Sequence, residues 1–285
     1  MSNTLKYPLE LFDETLDINS TENYDLTVEI SEEGLAMAVT DLLRGKYVLW
    51  RHYPLINPVN GNKGSLGDII GSDDFLKRHY RKVIIITPAG SSTLVPAPLF
   101  DEEMKDSYFR FNLPSHEHTE VYTNLLPFPG ASVVFAPDTL ICEAIKTVWP
   151  GLTPWHHTKT LLHHAFTSSR SSEERYLHLH VEKSFITLII IDKRQLRFCN
   201  SFACSAPGDV NYFLFNIFDK AEVKNDETLH VSGNLEPYGE LHISMLNFTE
   251  SIKFASPQLK HNLSYVMNEL HLHRWINLFT AASCE

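Results

Sequence analysis

The chain has 285 residues and 15 histidines, several close enough in sequence to share a ligand. His-x-His pairs occur at His116/His118, His178/His180 and His271/His273, and His156-His157 and His163-His164 lie between them. On a strand, residues i and i+2 face the same side, so His178 and His180 could chelate a metal ion. A metal site takes three or four ligands, often including a carboxylate. The chain has no His-Glu-x-x-His run and no spacing that names a metal. Exposed or hydrogen-bonded histidines are the plainer reading, so no metal is expected. Nucleophile chemistry has no better support. There is no Gly-x-Ser-x-Gly elbow, and nothing marks Cys142 or Cys199 as reactive. Asp73-Asp74 and Asp101-Glu102-Glu103 sit at expected helix starts, where they complement the helix dipole. No catalytic residue is assigned.

The elements around these residues follow from periodicity. Leu26, Val28 and Ile30 alternate with polar neighbours, a turn follows at Ser31–Gly34, and alternation resumes through Leu35, Met37 and Val39. Arg44-Gly45 makes a second turn, and Lys46–Tyr53 reads as a third strand. Helical spacing follows over Ser65–Tyr80, with Ser65 as a cap. Val83–Ile86 is a continuous apolar run, which fits a strand buried on both faces. A short helix near Phe100–Phe109, strands at Val121–Leu126 and Ser132–Phe135, and helices at Asp138–Val148 and Lys159–Phe166 come next. A short strand is expected at Leu152–Trp155. Beyond the polar stretch 167–174, strands are expected at Leu177–Val181, Phe185–Ile191 and Gln195–Phe202. A helix over Asp209–Ala221, a strand over Leu229–Ser232, and helices over Glu240–Phe248 and Leu263–Phe279 complete the reading.

Slid on itself by about 150 residues, the chain repeats. Leu26, Val28 and Ile30 fall on Leu177, Leu179 and Val181. Glu32-Glu33 falls on Lys183-Ser184, and Leu35, Met37, Val39 and Asp41 fall on Ile186, Leu188, Ile190 and Asp192 without a gap. After a two-residue shortening of the next turn, Tyr53 falls on Phe202. Each copy then continues into a helix and a buried strand. This layout resembles the actin-like ATPase superfamily. The stretch from Asp138 to Ile191 looks like the hand-over between halves in cell-division and pilus-assembly actin-like adaptors. More narrowly, Leu26-x-Val28-x-Ile30, Gly34-Leu35-x-Met37-x-Val39-x-Asp41, the lead-in Phe12-Asp13-Glu14-Thr15-Leu16 and the closing Cys284-Glu285 resemble an uncharacterised Bacteroidetes family (domain of unknown function 3822). The resemblance implies a duplicated α/β actin-like (ribonuclease H-like) fold of two similar halves, each a mixed sheet flanked by helices. The expected division is an irregular lead-in over 1–23, a first half over 24–170 and a second over 171–285.

An ATPase of that fold needs a glycine turn between the first two strands of each half, so that backbone N–H groups can approach phosphate. The first turn here carries Glu32 and Glu33, with glycine only at Gly34. Two carboxylates facing a phosphate at a few ångströms would cost on the order of several kcal/mol. The second turn, Glu182-Lys183-Ser184-Phe185, has no glycine. At the adenosine end, Val231-Ser232-Gly233-Asn234 faintly resembles the strand-Gly-Gly turn that cradles the base. Gly233 and Asn234 are therefore the candidate cofactor-binding residues, as a remnant turn. Neither Gly-x-x-x-x-Gly-Lys-Ser/Thr nor Gly-x-Gly-x-x-Gly after a strand occurs.

Formal net charge is -11, which disfavours phosphate backbones and anionic lipid. No run of 18 or more apolar residues suggests a spanning helix. The acidic start lacks a secretory pattern, and the four cysteines share no C-x-x-C spacing, so a reduced, cytoplasmic setting is expected. The combined expectation is a non-catalytic adaptor or scaffold without a cofactor, binding another protein or its own copies. The alternative is an ATPase that binds ATP and Mg²⁺ between the halves.

Overall fold

Alternating residues do form the expected meanders, and each meander becomes the centre of a sheet. In this computed structural model, residues 9–54, 66–113, 120–171 and 174–284 are described. His116, His118 and Ser65 lie outside them. In chain order the elements are β1 (Leu9–Phe12), β2 (Tyr24–Ser31), β3 (Gly34–Asp41), β4 (Lys46–Pro54), α1 (Leu66–Ser72), β5 (Lys82–Thr87), β6 (Ser92–Pro96), α2 (Lys105–Asn112), β7 (Tyr122–Leu126), β8 (Ala131–Phe135), α3 (Thr139–Val148), β9 (Trp155–His156) and α4 (His157–Ser168). The chain continues through β10 (Tyr176–Val181), β11 (Phe185–Asp192), β12 (Gln195–Ala203), α5 (Pro207–Lys220), β13 (Thr228–Gly233), α6 (Glu240–Met245), β14 (Ser251–Phe254), β15 (Asn262–Leu263) and α7 (Ile276–Thr280).

Strands β1-β4-β3-β2-β5-β9 form one sheet, with β15 added on β4; β12-β11-β10-β13-β14 form a second; β6-β8-β7 form a third, smaller one. In both large sheets three antiparallel strands are followed by one parallel to the first: β5 beside β2 and β13 beside β10. The likeness extends to a defect. The β3–β4 ladder slips between Val39 and Thr40, and the β11–β12 ladder slips between Ile190 and Ile191. Those are the positions that coincide when the sequence is slid on itself.

Each half buries its own core. Leu26, Val28, Ile30, Leu35, Met37 and Val39 pack with Ile69 and Ile70 of α1 and Ile145 of α3. The matching Leu177, Leu179, Val181, Ile186, Leu188 and Ile190 pack with Val210, Leu214 and Phe218 of α5 and Met245 of α6. The facing sides of the sheets are covered from between. Leu161, Leu162 and Ala165 of α4 join Ile189 and Ile191 of the second sheet. Leu278 and Phe279 of α7 join Ala36, Ala38, Tyr47 and Trp50 of the first. The first strand of each half is therefore buried on both faces.

Three expectations need correcting. Residues 1–23 are not wholly irregular, because Leu9–Phe12 adds antiparallel to Leu49–His52 of β4. The stretch Leu263–Phe279 is not one helix. It is a short 3-10 turn at Tyr265–Met267 and the five-residue α7. Leu263, Val266, Met267, Leu270, Leu272 and Trp275 all pack on the first sheet as the chain crosses it, where a continuous helix would present only one face. That segment also leaves the half to which it was assigned and returns to the first sheet, where β15 pairs with Lys46 and Tyr47. Strands β6 and β14 carried too short a pattern to be expected, while β7 and β8 lie where they were expected.

Asp13 fastens both ends of the chain to β4. Its carboxylate accepts from Lys46 Nζ at 2.9 Å, from Ser264 Oγ at 2.5 Å and from the Thr15 hydroxyl at 2.5 Å. Burial alone would raise its pKa, but these donors hold it well below the ordinary carboxylate range. Phe279 is fully buried, edge-on to Tyr47 at 5.0 Å, and its carbonyl accepts from the Tyr47 hydroxyl. Phe279→Ala should cost about 3–5 kcal/mol through the cavity it leaves. The measurement is the urea midpoint at unchanged m-value; a shift under about 1 kcal/mol would contradict the packing described.

Candidate functional site

The turns at the ends of the two meanders meet each other. Glu32 and Glu33 form the β2–β3 turn, since Ser31 pairs with Gly34. Lys183 and Ser184 form the β10–β11 turn, where Glu182 N–H donates to the Phe185 carbonyl. Ser184 Oγ donates to Glu32 Oε1 at 2.8 Å, and Asn234 Nδ2 donates to Glu33 Oε1. Arg274 stands between Glu33 at 3.8 Å and Glu236 at 3.2 Å. The space left between the halves here is about 20 Å³, lined by Glu29, Glu33, Glu182, Gly233, Asn234 and Arg274 among others. That holds one water molecule and no phosphate group.

Behind the turns lies a buried polar seam. Glu29 of β2 and His180 of β10 occupy matching positions in the two meanders, and they are only 7% and 1% exposed. Asn277 of α7 reaches both, with Nδ2 at 3.4 Å from Glu29 Oε1 and 3.5 Å from His180 Nε2. Its Oδ1 accepts from Thr160 of α4 at 2.7 Å. His180 Nε2 also meets Glu182 Oε1 at 2.9 Å, and its Nδ1 meets Ser232 Oγ at 2.8 Å. Ser232 Oγ lies 2.7 Å from His178 Nε2. His157, fully buried at the start of α4, bonds Thr187 of β11 at 2.8 Å and lies 5.9 Å, ring to ring, from His180.

Burial shifts these groups towards their uncharged forms. Loss of hydration pushes Glu29 and Glu182 up to about 8, with Glu182 adding to the shift at Glu29 and Glu33 and Glu32 adding to it at Glu182. Burial pulls His180 down to about 4 despite the nearby carboxyl groups of Glu29 and Glu33. With burial raising Glu182 and lowering His180, the His180–Glu182 contact favours the uncharged pair, a hydrogen bond between carboxyl and imidazole. His178 Nδ1 and Glu29 Oε2 have no partner. The arrangement resists charging and clasps the halves together.

Gly233 and Asn234 stand where the sequence reading placed a remnant turn, at the end of β13 and on this seam. Their polar groups are already engaged. Gly233 N–H donates to the His273 carbonyl at 2.9 Å, and Asn234 N–H to the Val181 carbonyl at 2.7 Å. Glycine is required at 233 for a local reason: φ is +86°, and a Cβ would lie 2.1 Å from the Val181 carbonyl oxygen. Helix α6 does not follow directly, since it begins only at Glu240. Phe185 turns inward against His157 and Gly90. Among the described residues no three His, Cys, Asp or Glu side chains gather as a metal site. His178 and His180, expected to be exposed or hydrogen-bonded, are buried and bonded. Sequence reading passed over Glu29, Glu182, Thr160 and Asn277. The available signal was that Thr27 and Glu29 fall on His178 and His180, so the polar faces of two matched strands answer each other.

A carboxyl whose pKa is higher folded than unfolded stabilises the native state fully below about 4.3, and that contribution drains away as pH rises through about 8. The buried histidines act in the opposite direction. His52, His156, His164, His180 and His230 are each lowered to about 4 by burial, so stability falls as pH drops from about 6.5 towards 4. Thermal stability should peak near pH 6.5 and decline towards pH 8, and Glu29→Gln should flatten that alkaline decline. Melting curves across this range are the check; a wild-type midpoint unchanged from pH 6.5 to 8 would refute the clasp. Gly233→Ala should destabilise by at least about 2 kcal/mol, read from the same melts.

Two solved structures are similar over nearly the whole chain. One is a Bacteroides thetaiotaomicron protein with actin-like ATPase fold and unknown function, at TM-score 0.75 and 19% identity over 92% of this chain and 98% of that one. The other is the PilM–PilN type IV pilus biogenesis complex, at TM-score 0.58 and 12% identity over 92% and 98%. At these identities the likeness shows the fold, which is the actin-like ATPase fold. No match is found among curated proteins. The profile described as protein of unknown function (DUF3822) matches residues 13–252, and the chain belongs to that family.

Proposed function

We propose that this protein is a non-catalytic adaptor or scaffold that keeps the actin-like fold and binds another protein. The observation that carries this is the space between the meander turns. Glu32, Glu33 and Glu182 stand where a phosphate would need backbone N–H donors, and direct bonds between the turns leave about 20 Å³. A nucleotide would have to break the Ser184–Glu32 and Asn234–Glu33 bonds and then face three carboxyl groups. The Gly233–Asn234 turn, on this reading, survives as part of the clasp. Two further facts support it: the similar pilus structure is a complex of two proteins, and no described helix is long and apolar enough to cross a membrane. The free thiols of Cys142, Cys199 and Cys204 fit a reducing, cytoplasmic setting.

The second reading is an ATPase using the same cleft with unusual contacts, favoured only by Gly233 and Asn234 lining it. Titration calorimetry with ATP and Mg²⁺ separates the two. No heat of binding is expected up to millimolar nucleotide; micromolar binding would overturn the adaptor reading.

A further inference from the structure

The two large sheets end differently at their outer edges among the described residues. In the first sheet the outer edge of β4 is occupied: β1 adds antiparallel along Leu49–His52. The residues of β12 that match these are Phe198–Ser201. Leu49 pairs with Val39 as Phe198 pairs with Ile190, and His52 pairs with Ala36 as Ser201 pairs with Thr187. Among the described residues β12 is the edge of its sheet, nine residues long, with only β11 beside it. About four of its residues turn their N–H and C=O groups outward. Natural edges are usually blunted by proline, charge or a covering strand. The run Phe198-Cys199-Asn200-Ser201-Phe202 has none of these.

We propose that β12 is a strand-acceptor edge, which takes an extended segment of a partner protein antiparallel along Phe198–Ser201, apolar at alternate positions and acidic at its C-terminal end. Both flanks of the edge offer seats for alternate side chains. On one face Phe198 and Phe202 lie parallel at 6.2 Å, half-buried, and Phe202 stacks on Phe213 of α5 at 4.4 Å. On the other face a cavity of about 420 Å³ opens between β6 and β12, lined by Leu94, Leu113, Thr158, Cys199 and Ser201 among others. The charge requirement comes from the β11–β12 turn. Lys193, Arg194 and Arg197 cluster there, with Asp192 3.9 Å from Arg197 as a partial counter-charge. An antiparallel segment ends beside this cluster. The first half shows the same pairing in miniature: β1 runs into Asp13, which takes the Lys46 ammonium at the start of β4.

The inference deepens the adaptor reading by giving the partner's chemistry, yet the β12 edge is unpaired among the described residues whether or not the cleft binds nucleotide, so the two can fail separately. The probe is a fluorescein-labelled peptide of the chain's own Leu9–Glu14, Leu-Glu-Leu-Phe-Asp-Glu, titrated onto the full chain by anisotropy, with hydrogen exchange locating the contact. Binding is expected with amide protection confined to 195–203, and at least tenfold weaker binding when alternate peptide amides are N-methylated or when Arg197→Glu is used. Asn200→Lys, which adds a charge at an exposed position, should weaken binding without lowering the melting temperature. Three results would each overturn the proposal: no protection of 195–203 at millimolar peptide, equal binding of the N-methylated peptide, or a dimer in sedimentation that buries the same amides without any peptide.

Discussion

Glu29 lies out of water at the point where two sheets come together, and a buried ionised carboxylate without a cation costs several kcal/mol. The rest of the seam follows from how that cost is avoided. Among the described residues no lysine or arginine bonds to Glu29. The group keeps its proton well above the ordinary range, and an amide, Asn277, which can serve either protonation state, is the neighbour placed against it. Asn277 in turn is held by Thr160, so the short helix α7 is tied to α4 through the same contact. His180 faces the pair from the other sheet and is neutral for the same reason, loss of hydration. The bonded polar groups of the seam thus have partners that do not demand charge, while Glu29 Oε2 and His178 Nδ1 go without one.

That solution explains why the halves can meet so closely at their turns. Glu32 and Glu33 sit at a more exposed level, where hydroxyl, amide and guanidinium donors from the second half are enough to hold them. The outer turns are therefore bonded by groups that tolerate water and the inner strands by groups that exclude charge. A ligand with several negative charges meets unfavourable conditions at both levels.

Much of the fold was legible because β2, β3, β10 and β11 carry strict alternation, and because matched positions share a bulge as well as a pattern. The apolar faces were read correctly, since Leu26, Val28 and Ile30 and their counterparts do form the two outer cores. The polar faces were legible only in part. His178 and His180 were expected to be exposed or hydrogen-bonded, and alternation alone cannot tell a polar face in water from one pressed against another polar face. Both are hydrogen-bonded within the seam. The C-terminal stretch was illegible for a different reason. Met267, Leu278 and Phe279 are buried by the first sheet, so their spacing answers to that surface and not to helical periodicity.

The closed state of the cleft is set by the chain itself. Each large sheet has a core of its own on its outer face, and what joins the halves is the polar seam, the apolar packing of α4 on Ile189 and Ile191, and the C-terminal segment that returns to the first sheet. Among the returning contacts, Asp13 binds Lys46 and Ser264 together, linking the N-terminal strand, the first sheet and the C-terminal segment at one carboxylate. Opening the cleft would have to uncover Glu29 and His180 and give up Asn277, while leaving both cores intact. Side chains of both halves meet across it, and the protonation of the seam changes how firmly they hold.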